Sequence, residues 1–128
     1  MALGVSLRFA QLRGRSVHYP DAIADFDGKT ISYTYENGWS FTNTFEGNVR
    51  HSSVPRGELH EIVEATRLRE DLYLVTWIDD EMGLLAQIVD FEKNTVLAAI
   101  PVEGASRTET LVGQLADPSI DDPAAGDA

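Results

Sequence analysis

Turn-forming residues cut this chain at short, regular intervals, and that spacing limits its fold more than any other feature. Asn37-Gly38, Gly47-Asn48, Glu70-Asp71, Asp80-Glu81-Met82-Gly83 and Lys93-Asn94 separate runs rich in β-branched and aromatic residues. The pattern predicts strands over 30–36, 39–46, 48–54, 58–67, 71–78, 84–91 and 95–102, with a further one over 106–114. Turns at this spacing between strands of this length argue for an antiparallel sandwich or barrel. Eight strands is about the number that closes a small barrel around one modest ligand. The helix candidates lie early. Val5–Leu12 is ambiguous, and Pro20–Phe26 predicts a short helix with Pro20 at its first position. Residues 1–115 are expected as a single β-barrel domain, and 116–128, rich in Pro, Asp, Ala and Gly, as an acidic flexible tail.

Composition then removes whole classes of function. The 128 residues carry a formal charge of −11, which argues against a nucleic-acid binder or a binder of anionic membrane, since both need a basic surface. There is no cysteine, so disulfides, thiolate nucleophiles, iron–sulfur clusters and cysteine-based zinc sites are excluded. The longest apolar runs, such as Val96–Val102, are far short of a membrane span. No signal peptide is read in residues 1–30, so the cytoplasm is the expected location. No glycine-rich phosphate loop, nucleophile elbow or Ser–His–Asp order stands out.

The first hairpin says most about the interior. Alternation puts Ile31, Tyr33 and Tyr35 on one face of the first strand, and Trp39, Phe41 and Phe45, with Asn43 among them, on one face of the second. A two-residue Asn37-Gly38 turn sets the two aromatic rows on opposite faces. A three-residue loop, Glu36-Asn37-Gly38 with Gly38 left-handed, pairs Tyr35 with Trp39 and Tyr33 with Phe41. The second is preferred, because a one-residue slip turns the aromatic row to water. Farther on, Tyr73, Val75, Trp77 and Asp79 share a face. With Trp77 inward, Asp79 stands at the barrel mouth, partly desolvated, a position suited to proton transfer.

Phe26-x-Gly28 followed by Tyr33-Thr34-Tyr35-Glu36-Asn37-Gly38-Trp39 resembles the opening of the phenolic acid decarboxylases. Val49-Arg50-His51-Ser52 with Arg56, and Tyr73-x-Val75-Thr76-Trp77-x-Asp79, resemble later blocks of that family. Asp80 to Gly83 and Ala86-Gln87-Ile88-Val89-Asp90-Phe91 look more like the related molybdenum-cofactor-biosynthesis F family. Together the resemblances cover about residues 26–102. They imply an all-β fold: an antiparallel, eight-stranded, closed or nearly closed calycin (lipocalin-like) barrel with a short N-terminal helix. The decarboxylases are cofactor-free, dimeric carbon–carbon lyases that turn hydroxycinnamic acids into vinylphenols. The resemblance therefore implies no cofactor, a small aromatic or unsaturated acid as the partner molecule, and a homodimer.

Carried over residue by residue, the resemblance implies Tyr33, Tyr35 and Arg56 as the groups that hold the polar ends of the substrate and Asp79 as the proton donor or base. Arginine and tyrosine hydroxyls suit a carboxylate. Trp39, Phe41, His51 and Trp77 are the expected substrate-binding residues. Two positions differ from the decarboxylase pattern. Asp79 replaces glutamate and is one methylene shorter, and Phe41 stands in place of a further tyrosine. Both point to another substrate or another reaction on the same barrel. A carrier or accessory protein is the alternative, because such barrels host both. Outside the motif, Tyr33 and Tyr35 read as barrel lining and Asp79 as turn chemistry. His18, His51 and His60 lack ligand spacing, so no metal is assigned. A site from His51, His60 and an acid needs the fold to bring them together.

Overall fold

The computed structural model describes residues 19–54 and 57–116. Its eight strands are β1 (Thr30–Tyr35), β2 (Ser40–Glu46), β3 (Val49–Val54), β4 (Gly57–Arg69), β5 (Leu72–Asp79), β6 (Gly83–Asp90), β7 (Thr95–Val102) and β8 (Arg107–Leu115). Each pairs antiparallel with the next, and β8 returns to β1 to close the barrel. Closure leaves no open sheet edge, which a chain of short alternating strands otherwise has to protect.

The register follows from the alternation. Tyr33 pairs with Phe41, and the Tyr35 amide donates to the Trp39 carbonyl at 2.8 Å, so the first hairpin has its three-residue loop. Gly38 closes that loop at φ +94°, a conformation that favours glycine. The other face of the same pair is a hydroxyl ladder on the barrel's outside: Thr30 with Thr44, Ser32 with Thr42 and Thr34 with Ser40, at 2.8 to 3.1 Å. The closing seam depends on Gly113, opposite Tyr35. A Cβ there would stand 2.7 Å from the Thr34 carbonyl oxygen and 3.0 Å from both the Tyr35 ring and Val96.

The strand β4 is longer than its sequence signal over 58–67. Its first half pairs with β3 and its second half with β5, and a bulge between Arg67 and Arg69 carries it on to the turn. Where β3 has ended, residues before the barrel take over as partner. The Ala22 amide donates to the Ala65 carbonyl, the Arg67 amide to the Pro20 carbonyl, and Asp21 bridges Thr66. This use of the backbone is why the helix expected over Pro20–Phe26 shrinks to a single 3-10 turn, Ile23–Asp25. That turn delivers Phe26 into one end of the barrel, where it is fully buried against Phe45, Tyr73 and Phe91 at ring distances of 5.1, 5.0 and 6.3 Å. No helix among the described residues is long and apolar enough to cross a membrane. Val5–Leu12 and all but the first residue of the expected tail lie outside the described residues.

Candidate functional site

Above the aromatic plug the inward positions turn polar. Tyr33 and Tyr35 of β1, Asn43 of β2, Arg50 and Ser52 of β3 and Gln87 of β6 are all buried. Each is placed by alternation from an apolar inward neighbour: Ile31 precedes Tyr33, and Phe45 follows Asn43 and faces Arg50 across the β2–β3 pair.

The layer is partly satisfied from within. Asn43 Nδ2 donates to the Tyr33 hydroxyl at 2.6 Å, and Gln87 Nε2 to the Tyr35 hydroxyl at 2.8 Å. Arg50 forms an ion pair with Glu61 of β4, both side chains buried, and its guanidinium lies 3.8 Å over the Trp77 ring. Burial, then the neighbouring Tyr33 phenol, pushes the Tyr35 phenol up, so it stays protonated and able to donate at neutral pH. Three buried atoms of this inward layer keep no hydrogen-bond partner among the described residues: Asn43 Oδ1, Arg50 Nε and Ser52 Oγ. Buried polar groups left unpaired are uncommon and costly, on the order of 1–3 kcal/mol each.

A cavity of about 70 Å³ opens beside this layer at the end away from Phe26. Tyr33, Tyr35, Arg50, Ser52, Trp77 and Asp79 line it, with Trp39, Phe41 and Met82 among its other walls. Most of the residues expected from the sequence are thus brought together. Trp39 is half-exposed even in the correct register, because it precedes the first residue of β2 and sits at the barrel rim. Asp79 lines the cavity and also serves its turn, its Oδ1 accepting from the Glu81 amide at 2.8 Å and the Met82 amide at 2.9 Å.

Among the described residues, one expected residue does not join the group. His51 faces outward, because its neighbours Arg50 and Ser52 take the inward positions of β3; its ring packs on His60. Arg56 lies outside the described residues. The arginine the structure places at the cavity is Arg50, with Glu61 as its counter-ion. The signal was present in the sequence. A two-residue Gly47-Asn48 turn pairs Phe45 with Arg50, so an inward Phe45 carries Arg50 and Ser52 inward with it.

The model of the MoaF N-terminal domain matches residues 9–102. The chain belongs to the MoaF N-terminal domain family. Its barrel is also similar to a solved structure described as a "putative beta-lactamase" from Burkholderia vietnamiensis, at 19% sequence identity and a TM-score of 0.62, over 77% of this chain and 97% of that one. At that identity the likeness shows the fold alone. No curated protein matches the chain. The MoaF domain and the barrel fit a calycin-like small-molecule-binding or accessory protein.

Proposed function

We propose that the open end of this MoaF-type barrel binds a small organic acid, its carboxylate held by Arg50 and Ser52 and its orientation set by Tyr33 and Tyr35. The observation that carries this reading is the pair of unpartnered buried atoms at the cavity, Arg50 Nε and Ser52 Oγ. Both can donate to an acceptor, and a carboxylate gives charge-assisted bonds to both. Each phenol oxygen already accepts from an amide, and the two phenols also interact with each other, so between them one O–H is left to donate outward. Glu61 offsets the Arg50 charge, so the buried guanidinium has a counter-ion of its own. The size of the cavity, about 70 Å³, suits a carboxylate with a short unsaturated stem rather than a whole drug-sized molecule. A longer acid enters carboxylate first and leaves its far end against Trp39 and Met82 at the rim.

A second reading rests on Asp79, which lines the same cavity as the donors. Here the protein is a cofactor-free decarboxylase of hydroxycinnamic-type acids. A protonated Asp79 gives its proton to the alkene carbon that bears the carboxylate, while the para-hydroxyl gives up its own proton and its electrons flow in to form a quinone methide. The bond to the carboxylate then breaks. Carbon dioxide leaves, the bonding pair becomes the vinyl double bond, and the ring returns to a phenolate that regains a proton. The shorter reach of aspartate argues for a substrate that sits closer to β5 than a glutamate would require. The homodimer belongs to this reading; the outward row Ile62, Ile78 and Leu84 supplies an exposed apolar face for a second copy. Sedimentation velocity tests it, and a monomer at every concentration removes it.

The deciding experiment uses a panel of small unsaturated and hydroxycinnamic acids. Trp39 and Trp77, the two tryptophans of the chain, both line the cavity and report binding by fluorescence, while loss of the conjugated-acid absorbance reports turnover. Saturable quenching that weakens in Arg50→Met supports the binding site. Turnover lost in both Asp79→Asn and Tyr33→Phe adds the decarboxylase. Quenching without turnover leaves a carrier or another reaction. Neither signal with any acid overturns the reading.

A further inference from the structure

The outer surface of β3 and β4 carries a second cluster, separated from the cavity by the sheet itself. His51 and His60 are direct cross-strand partners, with ring centroids 4.5 Å apart and nearly perpendicular planes. Glu58 lies two residues before His60 and so faces the same way. The ligand atoms of His51, Glu58 and His60 all fall within 4.8 Å of one another. Glu58 Oε1 is 3.0 Å from His60 Nε2. On the far side, Glu46 Oε1 of β2 is 2.9 Å from His51 Nε2. That contact lacks hydrogen-bond geometry: His51 Nε2 is buried and has no hydrogen-bond partner among the described residues.

We propose that His51, His60 and Glu58 bind one divalent late-transition-metal cation, zinc or copper, on the outside of the barrel, with Glu46 in reach of the fourth position. Two imidazoles and a carboxylate are the donor set such ions take. Around a tetrahedral ion, donors at metal bond lengths stand about 3.3 Å apart. The cluster reaches that by side-chain rotation alone, since Glu58 and His60 are both more than half exposed and free to turn. Three local features agree. The histidines are fixed by strand register rather than by a loop, the carboxylates are already beside them, and the buried His51 Nε2 has no hydrogen-bond partner among the described residues; the chain's formal charge of −11 also favours a cation. A bound ion ties β2, β3 and β4 together beside the β3–β4 turn, so binding stabilises the folded chain.

The test uses the whole chain, stripped with a chelator and titrated with zinc alone by calorimetry and with cobalt by visible absorption. The expected result is a single saturable site with the absorption bands of a tetrahedral nitrogen–oxygen centre. Affinity falls by more than about tenfold in His51→Ala and in His60→Ala, the smallest loss expected when even an outer partner of a ligand is removed. Zinc raises Tm in the wild type and no longer does so in His60→Ala. If His51→Ala fails to fold, Glu58→Gln and His60→Gln at exposed positions carry the test. Absence of saturable binding, several equal weak sites, or affinity indifferent to His60 overturns the proposal.

Discussion

The two ends of the barrel interior are built by one alternation and filled with opposite chemistry. At the closed end Phe26, Phe45, Tyr73 and Phe91 pack edge to face or tilted over Val89 and Val96. The Tyr73 hydroxyl there donates to Asp25 at 2.8 Å and is satisfied. At the open end Asn43, Arg50, Ser52 and Gln87 are as deeply buried as the phenylalanines, yet three of their polar atoms have no hydrogen-bond partner among the described residues. The closed end is what a barrel does to be stable. The open end carries buried polar atoms that a bound group would complete, as proposed above.

The largest effects test that difference directly. Phe26→Ala removes the centre of the plug and is expected to cost about 3–5 kcal/mol, read from urea unfolding midpoints. At the open end Glu61→Leu leaves the Arg50 guanidinium buried without its counter-ion, with a loss of similar size, about 3–5 kcal/mol. The informative case is the double variant Arg50→Met with Glu61→Leu. If the ion pair is there for a ligand, the double variant regains most of the loss, because a well-packed apolar pair is as stable as a buried ion pair. If the double variant is as unstable as Glu61→Leu, the ion pair supports the fold and the contrast between the two ends fails.

A smaller effect belongs to Tyr73. Burial, then its hydrogen bond to Asp25 and the charge of that carboxylate, pushes its phenol from 10.0 up to about 12. A folded-state value above the unfolded one favours the fold while the phenol is protonated. Its contribution is therefore whole below about pH 10 and is lost as the pH rises toward 12. Tyr73→Phe keeps the ring in the plug and removes the hydrogen bond. The expected loss is ~1–2 kcal/mol at neutral pH, with a shallower fall in stability above pH 10 than the wild type shows. Unfolding midpoints measured across the alkaline range check the sign. The slope does not vanish, since Tyr35 is shifted the same way.

The barrel was easier to read in the sequence than its pocket, for a physical reason. Strand period, turn residues and the aromatic rows are repeated signals, and all eight strands and the three-residue first loop follow from them. The pocket depends on single residues whose direction is set by register. Tyr33, Tyr35, Trp77 and Asp79 sit among large apolar neighbours that announce the inward face. Arg50 and Glu61 do not, because a charged residue in an alternating strand looks like an outward one until its partner strand is known. Motif likeness pointed to Arg56, which lies outside the described residues, and gave no sign that Arg50 faces inward. His51 was drawn inward the same way, although its neighbour Ser52 shares the inward face with Arg50. The short helix over Pro20–Phe26 failed for another reason: the carbonyl of Pro20 and the amide of Ala22 are used by β4, a long-range contact that local propensity does not contain.

The smallest expected change in stability sharpens the comparison most. Ser52 is fully buried, its Oγ has no hydrogen-bond partner among the described residues, and it lines the cavity. Replacing it with alanine removes one oxygen and the desolvation cost that goes with it, and leaves no large void. The desolvation cost removed is partly offset by the contacts the oxygen makes, so Ser52→Ala is expected to leave stability unchanged or raise it by up to about 1 kcal/mol. Binding of the small acid, followed by tryptophan quenching, is expected to weaken at the same time by roughly tenfold, the worth of one hydrogen bond to a charged group. A stability loss above about 1.5 kcal/mol shows instead that the hydroxyl is already satisfied in the free protein. The polar layer is then an ordinary part of the core, and the two ends of the barrel differ in composition but not in purpose.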